Sequence, residues 1–260
     1  MNCVINDKLF KKLAEFRKGG KENLLIVSDF DRTLTKEFTD AGLPNSTYAA
    51  LRNSGLMPEE YSRLNKEWYE KYHKIELSRE VSVEQKMPLM IEWWEMVMRS
   101  MFEYGLTAEV IKQIVGNRVV QMRPGFGDFL EAASEVPLII VSAGVGDIIQ
   151  GIINGYGRFD NVNVVSNFLD FKRKCYKSEI VHALNKTGSF ISRQPWFEAR
   201  KNVIVLGDTP DDLAVLEGLP YDSAIKFGFS GRTDALEGYD VIVRDGRMDC
   251  VVETIREILG

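Results

Sequence analysis

The sequence has little of what several common architectures require. Its three cysteines, Cys3, Cys175 and Cys250, lie far apart and form no CxxC pair, which indicates neither a disulfide framework nor a thiolate zinc site. Its two histidines, His73 and His182, have no partner spacing for zinc and read as surface or packing residues. No apolar run approaches the ~18 residues of a membrane span. The longest, from Val136 to Ile149, is interrupted by Pro137, Ser142 and Asp147. The N-terminal stretch MNCVINDKLFKKLAEF lacks an apolar signal region and a small-residue cleavage site, and reads instead as an amphipathic helix. Positive charge is not in excess either: 33 Lys and Arg against 38 Asp and Glu give a net charge of −5, without the electrostatic footprint of a nucleic-acid or anionic-lipid binder. The absence of GxxxxGK[ST] disfavours a P-loop NTPase, and the absence of an internal repeat argues against a solenoid. These absences lead to the expectation of a cytoplasmic protein with no membrane or nucleic-acid polymer as partner. Asn45-Ser46-Thr47 and Asn185-Lys186-Thr187 match the glycosylation pattern and are read as accidental.

What is present is the composition of a globular chain: 260 residues, 45% hydrophobic and 27% charged, enough for one large domain or a core with a second unit. Leu24 to Ser28, Pro137 to Ser142 and Asn202 to Asp208 are continuous apolar runs that end in small or acidic residues and lead into helical segments. Runs of that kind are strands buried on both faces, as in an open parallel α/β sheet. Shorter strands are expected at 162–165, 223–227 and 241–243, with a closing helix from Cys250 to Leu259.

Residues 38–119 have another texture, rich in Glu, Lys, Met, Trp and Tyr at helical spacing. This predicts a helical cap inserted into a core made of 1–37 and 120–260. Pro58-Glu59-Glu60 marks one helix start, expected to run to about Tyr72. Ser82-Val83-Glu84-Gln85 resembles a capping box for a second helix, reaching about Tyr104, and a third is expected from Thr107 to about Asn117. The joints near 35–39 and 121–125 are the expected hinges.

The chemistry concentrates where the apolar runs end. Asp29-Phe30-Asp31-Arg32-Thr33-Leu34-Thr35 comes directly after the first run, at the sheet edge where ligands bind. Alternation turns Asp29 and Asp31 to one opening and Phe30 away from it. Gly207-Asp208-Thr209-Pro210-Asp211-Asp212 closes another run. If those strands are neighbours, Asp29, Asp31 and Asp208 converge, and hard oxygen donors without imidazole or thiolate suit Mg²⁺. Ser142-Ala143-Gly144-Val145-Gly146 is a candidate phosphate cradle, where small residues let a backbone N–H approach an anion. Lys172, Lys174, Lys177 and Lys186 lie between the second and third of these runs, and one of them is expected to neutralise a phosphate, though the spacing alone does not choose among them.

DFDRTLT, the VSAGVG strand end, a later lysine and GDTPDD, in that order, resemble the four motifs of the haloacid-dehalogenase superfamily of phosphohydrolases. Tyr72-His73-Lys74-Ile75-Glu76, Glu84-Gln85-Lys86-Met87-Pro88, Glu92-Trp93-Trp94 and His182-Ala183-Leu184-Asn185-Lys186 are similar to the cytosolic pyrimidine 5′-nucleotidase family, over nearly the whole chain. The resemblance implies a Rossmann-like core with an inserted helical cap. It makes Asp29 the nucleophile that becomes an aspartyl phosphate and Asp31 the acid/base. Ser142, Ala143 and Lys186 become phosphate holders. The Mg²⁺ set becomes Asp29, Asp208 and the backbone carbonyl of Asp31, with Thr33 and Asp212 in support. Glu76 becomes the reader of the amino edge of a nucleobase. At most one of Trp93 and Trp94 is expected to face the site, since neighbours on a helix point ~100° apart. Val97 stands where the family pattern carries a serine against the base, a departure that bears on base selectivity and not on phosphate chemistry.

The function so implied is Mg²⁺-dependent hydrolysis of nucleoside 5′-monophosphates, pyrimidines preferred, by a chain expected to act as a monomer. The competing readings are a phosphatase for a sugar phosphate or phosphoserine and, from another class, a non-catalytic binding module of the same fold. A dehalogenase is disfavoured, because Asp31 is a phosphohydrolase feature of this superfamily.

Overall fold

The computed structural model describes residues 3–5, 9–78, 80–229 and 237–260. The chain opens with β1 (Cys3–Ile5), α1 (Leu9–Gly19) and β2 (Leu24–Ser28). Four helices come next: α2 (Thr47–Asn53), α3 (Glu59–Leu77), α4 (Val83–Glu103) and α5 (Ala108–Gly116). After them lie α6 (Phe126–Ala132), β3 (Leu138–Val145), α7 (Gly146–Tyr156) and β4 (Val162–Asn167). A small hairpin, β5 (Leu169–Asp170) and β6 (Cys175–Tyr176), precedes α8 (Gly188–Ser192). The chain ends with β7 (Asn202–Gly207), β8 (Ser223–Phe229), β9 (Val241–Val243) and α9 (Asp249–Leu259).

The main sheet has the order β1-β9-β8-β7-β2-β3-β4 and is parallel except for β1, which runs antiparallel to β9. Every residue of β2 and β7 is buried, as continuous apolar runs require. Side-chain alternation divides the core into two layers. Leu24 and Ile26 face a layer with Phe16 of α1, Phe129 of α6, Ile149 of α7 and Ile255 of α9. Leu25 and Val27 face the other, with Phe190 and Ile191 of α8. The three runs read as strands are therefore the adjacent centre of the sheet, and their carboxyl ends share one edge.

Two expectations change at the N-terminus. Cys3–Ile5 is an edge strand rather than part of a helix, and the helix begins at Leu9; Met1, Asn2 and Asn6 to Lys8 lie outside the described residues. Cys3 and Cys250 form a disulfide with Cα atoms 6.9 Å apart. Linear spacing hides this pair because 247 residues separate them, whereas β1 borders β9 and α9 comes directly after β9.

The inserted helices start where their caps predict. Ser82 makes the full capping box with Gln85, and Thr107 caps α5. α3 runs five residues beyond its expected end, to Leu77, so that Ile75 packs against the core and Glu76 stays helical. Met90, Trp93, Val97 and Met101 of α4 bury against Tyr61 and Tyr72 of α3 in an apolar cluster continuous with the core. Among the described residues no helix is long and apolar enough to cross a membrane.

The two segments that join the insertion to the sheet pair with each other. Thr35 bridges Met122, and the Lys36 N–H donates to the Gln121 carbonyl at 3.0 Å. Asn45 closes the joint: its Nδ2 donates to the carbonyls of Lys36 and Gln121, both at 2.8 Å, and its Oδ1 accepts from the Gln121 N–H at 3.0 Å. Asn45 is buried, so its amide is engaged in the fold. Asn185 is likewise engaged, with Ile180 and His182. Asn45→Ala leaves the Gln121 N–H and the Lys36 carbonyl without these partners, and is expected to lower stability by about 3 kcal/mol in urea unfolding. A loss below about 1 kcal/mol contradicts the clamp.

Candidate active site

Parallel pairing sets Ser28 of β2 opposite Leu206 of β7 and Ile140 of β3. The residues just beyond them, Asp29, Asp208 and Ser142, therefore emerge on one rim. After β2 the chain makes a single tight turn in which the N–H groups of Thr33, Leu34 and Thr35 point to the Phe30 carbonyl. Phe30 is fully buried and faces the core, as alternation predicts. Arg32 has φ 65°, left-handed backbone that costs a non-glycine residue ~1–2 kcal/mol. Its neighbours hold it there. The Arg32 N–H donates to Thr35 Oγ1 at 2.7 Å, and the Arg123 guanidinium donates to the carbonyls of Arg32 and Thr33.

Carboxylate oxygens of Asp29, Asp208 and Asp212 lie within 4.8 Å of one another. Lys186 joins two of them, with Nζ 2.8 Å from Asp29 Oδ1 and 3.0 Å from Asp212 Oδ1. Of the lysines left open by spacing, Lys186 is the one buried among the acids. Asp212 Oδ2 accepts from the N–H groups of Asp208 and Thr209 and from the Thr209 hydroxyl, at 2.9–3.0 Å. With both oxygens so engaged, Asp212 braces the loop that carries Asp208. Arg32 Nε approaches Asp208 Oδ2 at 3.3 Å, and the Thr33 hydroxyl approaches its Oδ1 at 3.4 Å. The Tyr239 hydroxyl donates to the Thr209 carbonyl at 2.6 Å.

Burial and mutual repulsion govern the charges. Burial raises Asp29 above the usual carboxylate range against the pull of Lys186. Burial, reinforced by the charge of Asp29, pushes Asp31 up to about 7. Asp208 is pushed up to about 8, by burial first and against the pull of Arg32. Burial also disfavours charge on Lys186 and Asp212, but each overcomes it through the other: Lys186 is held above the ordinary lysine value and Asp212 below the ordinary carboxylate value.

Asp31 turns to a different partner, Thr47, which donates to it from its N–H at 3.0 Å and from its hydroxyl at 3.2 Å. Ser142 is buried on the same rim, its Oγ accepting from the Gly144 N–H at 3.0 Å. Beside it the Ala143 carbonyl accepts from Asn167 at 2.7 Å. Nothing in the sequence points to Thr47, Arg123 or Tyr239, because each meets the site from a distant segment.

Glu76 lies on α3, with its Oε2 2.9 Å from His73 Nδ1. His73 is therefore bonded to the expected base reader, besides being the packing residue that its isolation suggests. It stacks on Tyr69 at 4.6 Å, and the Arg52 guanidinium lies 5.5 Å from the Tyr69 ring. Lys86 Nζ donates to the Glu76 carbonyl at 2.8 Å. Trp93 and Trp94 are both buried and stack on each other at 5.0 Å, with Tyr72 flanking Trp93 and Tyr48 flanking Trp94. Neither indole N–H has an acceptor among the described residues. His182 is buried and caps the turn that leads to Lys186, its Nδ1 accepting from the Leu184 N–H.

A sequence profile described as "Pyrimidine 5′-nucleotidase (UMPH-1)" matches residues 32–259. The chain is similar to the 7-methylguanosine phosphate-specific 5′-nucleotidases of Gallus gallus and Homo sapiens. Each is 31% identical to it; the alignments cover 97% of this chain and 94% of the Gallus protein, and 95% and 88% for the human one. In structure it resembles cytosolic 5′-nucleotidase IIIB bound to cytidine, with a TM-score of 0.85, 25% identity, and coverage of 98% of this chain and 93% of that one. A phosphoserine phosphatase in its apo form, 14% identical with a TM-score of 0.54 over 88% of this chain and 97% of that one, shares the fold. The chain belongs to the pyrimidine 5′-nucleotidase family, phosphoric monoester hydrolases built on the haloacid-dehalogenase fold.

Proposed function

We propose that this chain hydrolyses nucleoside 5′-monophosphates by way of a phosphorylated Asp29, with Mg²⁺ as cofactor and with preference for bases that carry an exocyclic amino group. The observation that carries the reading is the trio of Asp29, Asp208 and Lys186 gathered at the carboxyl edge of two adjacent parallel strands. Mg²⁺ fits this donor set of hard oxygens, with Asp29, Asp208 and the Asp31 carbonyl as its protein ligands. When bound, it offsets the charge between an anionic phosphate and the acids that receive it.

The residues of the chain divide the remaining work. Asp29 forms a bond to phosphorus as the bond from phosphorus to the ribose 5′-oxygen breaks. Asp31, held near neutrality by burial, gives its proton to that oxygen and so releases the nucleoside. In the second half Asp31 takes a proton from water as the water oxygen attacks phosphorus, releasing phosphate and restoring Asp29. Lys186, the Ser142 hydroxyl and the Ala143 N–H hold the phosphoryl oxygens while charge shifts among them. Thr33 and Asp212 keep Asp208 in place.

The Glu76 carboxylate, oriented by His73, accepts from the amino edge of the base. Cytosine has such an edge, and so does 7-methylguanine, the base in the names of the relatives from Gallus gallus and Homo sapiens. A base without that donor leaves a half-buried acid unpaired.

Phosphate release from CMP and 7-methyl-GMP is expected with Mg²⁺ and to be abolished by EDTA, and turnover confined to phosphoserine or sugar phosphates contradicts the base reading. Glu76→Ala is expected to raise KM for CMP about 10-fold or more and that for p-nitrophenyl phosphate less than about twofold. Equal effects on the two substrates contradict the role of Glu76.

The raised carboxyls predict a pH signature for metal binding. Asp31 at about 7 and Asp208 at about 8 lie above the ~4 of an unfolded chain. Their contribution to stability is present in full below about pH 4 and is lost as pH rises through those folded values. A bound cation favours the ionised forms, so the rise in Tm on adding Mg²⁺ to EDTA-treated protein should be small at pH 5.5 and larger at pH 8.5. A rise that does not change with pH contradicts the assignment of the metal to this cluster.

A further inference from the structure

Thr47 opens the first inserted helix, α2, yet it is fully buried against the sheet edge. Its surroundings account for both its N–H and its hydroxyl. Ser46 caps α2 by accepting from the Ala49 N–H at 3.1 Å, and an N–H in the first turn of a helix has no intrahelical acceptor. The Thr47 N–H instead donates to Asp31 Oδ1 at 3.0 Å. The Thr47 hydroxyl accepts from the Val145 N–H at 3.0 Å, which leaves its own proton for Asp31 Oδ2 at 3.2 Å. Both oxygens of one carboxyl group are thus addressed by one residue, and the plane of that carboxyl is set by the position of α2.

Gly144 makes this meeting possible. A Cβ there would lie 2.5 Å from Thr47 Oγ1 and 3.1 Å from Asp31 Oδ2, so any other residue would push the two apart. The triplet Asn45-Ser46-Thr47 has three tasks in sequence: Asn45 fastens the joint, Ser46 starts the helix, and Thr47 reaches the acid.

We infer that Thr47 is a positioning residue for Asp31, which aims the proton of that carboxyl at the leaving oxygen and makes proton delivery depend on the seating of α2. This rests on the acid/base role proposed for Asp31. The hydroxyl contributes through orientation, so in the first half of the reaction its loss should affect only departures in which the leaving oxygen needs a proton. A ribose 5′-oxygen needs one; p-nitrophenolate departs without it.

The test compares first-turnover rates on CMP and on p-nitrophenyl phosphate, with saturating Mg²⁺, for the unaltered protein, Thr47→Val, Thr47→Ser and Asp31→Asn. Thr47→Val is expected to slow nucleoside release from CMP about 10-fold or more, with KM within about twofold and nitrophenol release within about twofold. Thr47→Ser, which keeps the hydroxyl, should restore most of the rate. If the valine variant does not fold, Thr47→Ala takes its place, with the same expectation.

Equal slowing on both substrates means a merely structural role, and unchanged rates on both mean no role; either overturns the inference. Asp31→Asn separates the two levels. If it shows no selective loss on CMP, the proposed role of Asp31 fails. If it does and the Thr47 variants do not, the inference about Thr47 fails alone.

Discussion

A cluster of carboxylates shares one buried corner of the protein with a single lysine, and that crowding is the constraint on which the rest of the structure depends. Ionised acids so close and so far from water repel one another and lose hydration, an arrangement that folding alone does not favour. The chain meets it with fixed donors: Lys186 for Asp29 and Asp212, Thr209 and the loop N–H groups for Asp212, Arg32 for Asp208 and Thr47 for Asp31. The burial, and after it the repulsion, that these donors do not offset shows in the raised pKa values of Asp29, Asp31 and Asp208, the three acids that the proposed function turns toward cation and phosphate. In the proposed function, a bound cation relieves the residual cost of the cluster.

The fold supplies the corner cheaply. Parallel strands with matched register deliver Asp29 and Asp208 to one rim without any long side chain having to reach across the sheet. The loop between them and the insertion then needs rigidity, which comes from the Arg123 guanidinium on the carbonyls of Arg32 and Thr33 and from the Asn45 clamp on the joint. The inserted helices are thereby coupled to Asp31, which Thr47 of α2 meets with both its N–H and its hydroxyl.

How far each residue of the candidate site is legible in the sequence depends on how the chain brings it there. Asp29, Asp31 and Asp208 are legible because a buried strand announces itself as an apolar run, and the residues at the carboxyl end of such a run lie at the ligand-binding edge. Glu76 and Lys186 need the family resemblance, since neither carries a local signal. Thr47, Arg123, Tyr239 and His73 are not legible, because their roles come from convergence of segments far apart in the chain. The helix caps at Ser82 and Thr107 stand in the local pattern, whereas Cys3–Ile5 reads as helix in the sequence, its three residues being too few to show alternation. The pairing of Cys3 with Cys250 is a tertiary fact with no local trace.

The most direct test of the central claim is a crystal structure of the protein grown with Mg²⁺ and beryllium fluoride, which stands in for a phosphoryl group on a carboxylate. The account predicts beryllium bonded to a carboxylate oxygen of Asp29, Mg²⁺ held by Asp29, Asp208 and the Asp31 carbonyl, and Lys186 on a fluoride. Beryllium on another residue, or Mg²⁺ away from Asp208, would contradict it.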